Sequence, residues 1–318
     1  MPSRPSHARL AARLLGGLVL VVALGAAAAY APGDSDTDVE AAGTSIELSV
    51  YKPPSYRGEG MIVSLHGLGR NATGYRDHTR GLAERFGALL IVPYFDRERF
   101  PTWRYQRAGI VRRNAETGAF SAQPPEQWTG EVLRAVIDAV RAHEGAPDLP
   151  YVLIGHSAGA QFLARMTAFA PLPAARIIIA NPSSWVAPTL AEPFPYGFGR
   201  LPAEIGNERA LERYLAQPVT VVLGTADTGS IDLSQTAGAK RQGVHRYARG
   251  THVFQSAAAM AHDRGWRFGW QLVEIPNVGH SARAMYASPV AERAFCPEPA
   301  QAPGAAGARS PASWPCGR

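Results

Sequence analysis

The chain has 318 residues, 46% of them apolar and 18% charged, which suits one full hydrophobic core or at most two. Its formal net charge is +6, and half of that excess, Arg4, Arg9 and Arg13, lies in the first 31 residues, which hold no acid. The rest is spread without a basic block, so nothing marks the chain as a nucleic-acid binder.

The three arginines lead into an apolar run, residues 14–29, that closes on Ala29-Tyr30-Ala31. This is the layout of an export signal (residues 1–31) with an A-x-A cleavage site. An uncleaved membrane anchor is the alternative, because the run is near the minimum length for a spanning helix. Either way the main domain is expected in the periplasm or outside the cell, with any membrane contact confined to residues 14–31. Residues 32–44, carrying Asp34, Asp36, Asp38 and Glu40, read as a solvated linker.

Residues 45–51 alternate apolar and polar through Ile46, Leu48 and Val50, the pattern of a half-exposed strand. Residues 61–65 form a short buried strand, followed by a loop, His66-Gly67-Leu68-Gly69. Helical spacing over 75–86 precedes another buried strand at 88–93. Residues 94–123 are irregular and rich in aromatics, which serve either loop packing or pocket lining. An amphipathic helix spans 124–144, with Trp128, Val132, Leu133, Val136, Ile137 and Val140 on one face. Strands follow at 151–155, 176–180, 219–223 and 271–275, with helices at 160–166, 207–215, 253–265 and 281–295. Such alternation predicts an α/β fold, a mostly parallel central sheet with helices on both faces, over residues 45–295. Residues 296–318 form a Pro/Ala/Gly-rich tail holding Cys296 and, near its end, Cys316. In an oxidising compartment these two could close a loop; two free thiols are the plain alternative, and their spacing argues against zinc.

The chemistry centres on Gly155-His156-Ser157-Ala158-Gly159, an apolar strand ending in Gly-x-Ser-x-Gly before a helix. This is the layout of a nucleophile elbow, with Ser157 at the apex. A serine in an ordinary strand-to-helix turn is the competing explanation. A serine nucleophile needs a base and an acid that orients it, and in this arrangement they follow in the order Ser, Asp, His. Asp227 lies just past the 219–223 strand and His280 just past the 271–275 strand, both at the sheet edge where the elbow lies. Ala158 N–H and Leu68 N–H, with Gly69 N–H as the alternative to Leu68, are the expected oxyanion donors; His66 is expected to shape that loop. His156 is the variable position of the elbow.

Ser157, Asp227 and His280 in that order, behind the His66-Gly67 loop, resemble the α/β-hydrolase superfamily over roughly residues 45–295. The export signal and the short insert after residue 180 resemble its secreted esterases, which include polyhydroxyalkanoate depolymerase-like and feruloyl-esterase-like proteins. One clear strand precedes Met61, where the family often has two. The resemblance implies an enzyme, a monomer, that cleaves small-molecule or polymeric carboxylic esters through an acyl-enzyme, with no cofactor and no metal. An acyltransferase would use the same triad, and a non-catalytic envelope module could share the scaffold. Gly67-x-Gly69-x-x-Ala72, with Asp96 further on, also meets a relaxed dinucleotide fingerprint, which would make the protein an NAD-dependent oxidoreductase. Trp185, Tyr196 and Phe198, in the Pro-rich insert, are expected to line an open cleft for short acyl or aromatic-acyl groups; packing of those rings onto the core is the alternative.

Overall fold

The computed structural model describes residues 29–114, 116–117, 120–296 and 314–316; residues 14–28 of the apolar run and most of the tail lie outside them. Two strands, β1 (Gly33–Ala41) and β2 (Thr44–Lys52), open the domain as an antiparallel hairpin. Its two-residue turn has Ala42 and Gly43 at positive φ, the geometry that matches strand twist. The linker expected over residues 32–44 is therefore corrected to an edge strand, so two strands precede Met61. The cause is a period of two: Asp34, Asp36, Asp38 and Glu40 form the exposed face, and Ser35, Thr37, Val39 and Ala41 the inner one. Charge along an edge strand also opposes pairing with another chain.

The core strands β3 (Met61–Leu65), β4 (Leu89–Pro93), β7 (Tyr151–His156), β8 (Arg176–Ala180), β9 (Val219–Gly224) and β10 (Gln271–Ile275) run parallel. The sheet order is β1-β2-β4-β3-β7-β8-β9-β10, and β2 meets β4 antiparallel. A small hairpin, β5 (Val111–Arg113) with β6 (Phe120–Ala122), stands apart.

Side chains alternate across the sheet into two apolar layers. One layer holds α2 (Thr129–His143), α3 (Ala158–Phe169), α4 (Glu208–Leu215) and α6 (Arg246–Arg264). The other holds α1 (Ala72–Phe86) and α7 (Ala282–Ala287). A short helix, α5 (Ala237–Gln242), packs on α6. The helix expected over 281–295 breaks at Ser288, because Pro289 lacks an N–H and starts a tight 3-10 turn instead. The helix expected at 253 begins at Arg246, where His245 Nδ1 accepts the Ala248 N–H at 3.1 Å.

Both ends of the domain are fastened. Tyr30 is buried against His143, ring centroids 4.2 Å apart, and its N–H donates to Glu144 Oε1 at 2.9 Å. Cys296 and Cys316 are joined by a disulfide, a closure worth about 3 kcal/mol by chain entropy. Trp314, two residues from it, is buried beside Phe86 and Phe295.

Candidate active site

Ser157 stands between β7 and α3 at φ 57°, ψ −111°, a conformation that a residue with a Cβ seldom adopts. The bend persists because its surroundings leave no alternative. A Cβ on Gly155 would sit 2.6 Å from the Gly159 carbonyl carbon, and one on Gly159 2.3 Å from Leu65 O. Ser157 N–H donates to Ala180 O at 3.0 Å, fixing the turn to the end of β8.

The loops after β9 and β10 are laced to each other. Thr225 N–H donates to Ile275 O, Ala226 N–H to Val278 O, and Asn277 N–H to Thr225 Oγ1. That lacing brings Asp227 and His280 together, 53 residues apart in sequence. His280 Nδ1 lies 2.7 Å from Asp227 Oδ2, and His280 Nε2 lies 3.1 Å from Ser157 Oγ. Asp227 is buried, while the His280 side chain is 27% exposed. The relay therefore has a fixed inner end and an end open to solvent.

The His66–Arg70 loop is held on three sides. His66 is buried, its Nε2 accepts the Phe95 N–H at 3.0 Å, and its Nδ1 lies 3.2 Å from Gly67 O. Burial pushes its pKa down to about 4, so the ring is neutral, with the proton on Nδ1 toward that carbonyl. Tyr105 donates to His66 O, and Arg70 donates to Phe95 O and Phe100 O while lying over the Tyr105 ring. His66 shapes this loop, as its position in the sequence suggests. Leu68 N–H and Ala158 N–H make no hydrogen bond among the described residues. Ala158 is the first residue of α3, where the helix leaves its N–H groups free.

The remaining expectations divide. Trp185 and Phe198 are fully buried and so do not line a cleft. Phe198 packs between Phe169 and Tyr214, and the backbone of Trp185 is bonded on both sides by the Gln242 amide. Packing of the rings onto the core won, because Arg165 ties the insert down: it donates to Ser184 O, Ser184 Oγ and Pro195 O. Tyr196 does face a cavity, with its hydroxyl 2.5 Å from Thr236 Oγ1. In the dinucleotide alternative Asp96 would have to bind ribose, but its oxygens are taken by the Glu98 and Arg99 N–H groups and the Arg99 side chain.

Three groups escape a reading of the sequence. Arg246, buried on the first turn of α6, lies 3.5 Å from Asp227 Oδ1 and donates to Ile231 O at 2.7 Å. Arg249, one turn on, donates to Ser183 O and to Gly243 O at 2.9 Å. His156 lies under the relay, its ring centroid 4.5 Å from that of His280 and its Nδ1 3.3 Å from the Tyr75 hydroxyl. Burial holds the His156 pKa well below the usual range, so it presents a neutral face to His280. Among the described residues no group of His, Cys, Asp and Glu is gathered to hold a metal ion.

No protein-family model and no curated protein matches the sequence. Many solved structures do, two of them at more than 30% identity. The poly(3-hydroxybutyrate) depolymerase LpqC from Bordetella parapertussis is 31% identical with a TM-score of 0.73, the match covering 80% of this chain and 88% of LpqC. Poly(aspartic acid) hydrolase-1 from Sphingomonas sp. KT-1 is 32% identical with a TM-score of 0.71, over 80% of this chain and 96% of that one. Similarity over most of both partners, together with the sheet order and the elbow, means that the chain belongs to the α/β-hydrolase superfamily, in its poly(3-hydroxybutyrate) depolymerase-like branch.

Proposed function

We propose that this protein is an exported serine hydrolase that cleaves carboxylic esters through an acyl-enzyme on Ser157. The observation that carries the reading is the unbroken relay from Asp227 through His280 to Ser157 Oγ, at 2.7 and 3.1 Å, on a strained elbow. His280 Nε2 takes the hydroxyl proton as Oγ attacks the ester carbonyl, and the same proton passes to the departing alcohol. Water repeats the sequence on the acyl-enzyme and releases the acid. Asp227 holds Nδ1–H, so the nitrogen facing Ser157 is the basic one. The N–H groups of Ala158 and Leu68 are the donors assigned to the developing oxyanion.

Export is supported by the Arg-led apolar run and by the Cys296–Cys316 disulfide, a bond that persists in oxidising compartments. The two similar structures are named for a polyester and for a poly(amino acid), and the solvent-facing His280 suits access by a polymer segment as well as by a small ester. A cavity of about 220 Å³, room for a short group, has Gln161, one turn of α3 past Ser157, in its wall. Kinetics on p-nitrophenyl esters of rising chain length test this reading. The highest kcat/KM is expected from acetate to butyrate with a drop by octanoate; a maximum at palmitate, or no ester hydrolysis, would overturn it.

A further inference from the structure

The cavity beside α3 is lined by Gln106, Arg107, Gln161, Arg165, Ser184 and Tyr196, among others. It begins one turn of α3 beyond the elbow, since Gln161 N–H donates to Ser157 O at 3.0 Å. Along the axis of α3, four residues, roughly 6 Å of rise, separate Gln161 from the serine.

Its walls carry positive charge that the protein does not neutralise. Arg165 is almost wholly buried, yet among the described residues no carboxylate pairs with it. Its terminal nitrogens are spent on the oxygens of Ser184 and Pro195, and its Nε has no partner. Carbonyl and hydroxyl oxygens solvate a guanidinium without cancelling its charge. Arg107, half-buried in the same wall, makes no side-chain hydrogen bond or ion pair among the described residues. Burial is what pulls the Arg165 pKa down to about 10; Arg107 adds a smaller push in the same direction. Asp232 is the one carboxylate of the lining, and it stands exposed on the rim, paired to neither arginine.

A donor is also aimed into the same space. Arg165 donates to Ser184 Oγ at 2.9 Å, and Ser184 donates onward to Gln161 Oε1 at 3.0 Å. That chain fixes the orientation of the Gln161 amide and leaves its NH₂ group with no protein partner. An unpaired amide donor, an unpaired guanidinium and a buried cation behind them are complementary to a carboxylate and poorly matched to an aliphatic chain.

We infer that this cavity is a carboxylate subsite, so that the enzyme selects esters bearing a carboxylate a few bonds from the scissile carbonyl. The inference rests on the esterase reading and specifies its substrate class. The carboxylate docks on Arg107 and the Gln161 amide, within the field of Arg165. Two sources share this chemistry: the free acid end of an oligoester, and an acidic side group repeated along a polymer.

The test compares kcat/KM for the mono-p-nitrophenyl ester of adipic acid with that for p-nitrophenyl hexanoate, an acyl chain of equal length, with Ser157→Ala as the blank. The wild-type ratio is expected to favour the acid about tenfold, as for one charge-assisted contact. It should fall to about one in Arg107→Gln, drop below one in Arg107→Glu, recover in part in Arg107→Lys and rise in Asp232→Asn. Among trimers of 3-hydroxybutyrate, faster cleavage of the free acid than of its methyl ester assigns the subsite to a chain end. Equal rates, with the adipate preference kept, assign it to a side-group carboxylate. A wild-type ratio near one that none of these substitutions moves would overturn the inference while leaving esterase activity standing. Failure to cleave either p-nitrophenyl ester would overturn the esterase reading and the inference with it.

Discussion

Arg246 lies 3.5 Å from Oδ1 of Asp227, both side chains about 1% exposed, while the other oxygen of that carboxylate holds His280 Nδ1 at 2.7 Å. A carboxylate removed from water needs a counter-charge, and a neutral imidazole supplies none. Arg246 supplies it from behind and leaves the relay side of Asp227 free. The arginine sits on the first turn of α6, where the helix dipole disfavours a cation. Its ion pair with Asp227 and its bond to Ile231 O offset that cost.

Replacing Arg246 by Met keeps the bulk and removes the charge. Breaking a buried pair on one side is expected to cost about 3 kcal/mol of stability and to lower kcat, because Asp227 loses its fixed orientation. Urea unfolding and ester kinetics on the variant check both effects. Partial recovery in Arg246→Lys would separate loss of charge from loss of packing; full activity and stability in Arg246→Met would remove Arg246 from the site.

His66 makes stability depend on acidity. Its pKa in the fold is about 4, against about 6.5 for an unperturbed histidine. The folded state thus refuses a proton that the unfolded chain accepts. Its contribution is complete above about pH 6.5, declines as pH falls toward 4 and is gone below that; the full span is about 3 kcal/mol. His156, also buried and held neutral, acts in the same direction. Urea unfolding at pH 7.5 and pH 4.5 should show the loss, and His66→Gln should flatten it. An unchanged slope in that variant would exclude His66 as its source.

Processing is expected after Ala29 rather than after Ala31. Cleavage at the later point would remove Tyr30, whose ring packs on His143 and whose N–H meets Glu144. Cleavage after Ala27-Ala28-Ala29 satisfies the same small-residue rule. It also turns the Tyr30 nitrogen into an ammonium facing Glu144, the carboxylate that Lys52 pairs with at 2.8 Å. N-terminal sequencing of the exported protein should begin at Tyr30; a start at Pro32 would mean that this contact is dispensable.

The relay was legible because its members sit where strands end. Ser157 follows an apolar run and Asp227 and His280 follow two more, so the topology alone carries them to one edge. The guanidinium clamps had no such signal. Arg165 reaches Pro195 and Arg249 reaches Ser183, contacts across 30 and 66 residues with no local periodicity. The start of α6 was hidden because a histidine, an uncommon cap, replaces the usual Ser, Thr, Asp or Asn. Trp185 and Phe198 misled because aromatic content says how much surface must be buried and not on which side of a segment it lies. In β1, four acids concealed an alternation that the smaller residues between them carried.

Covalent capture of the nucleophile tests the central claim most directly. Incubation with a fluorophosphonate, digestion and peptide mass spectrometry should place one phosphonyl group on Ser157, with none on Ser157→Ala and a much slower reaction in His280→Ala. Labelling of Ser157→Ala at the wild-type rate, or modification of a different serine in the wild type, would contradict the assignment of Ser157 as the residue that forms the acyl-enzyme.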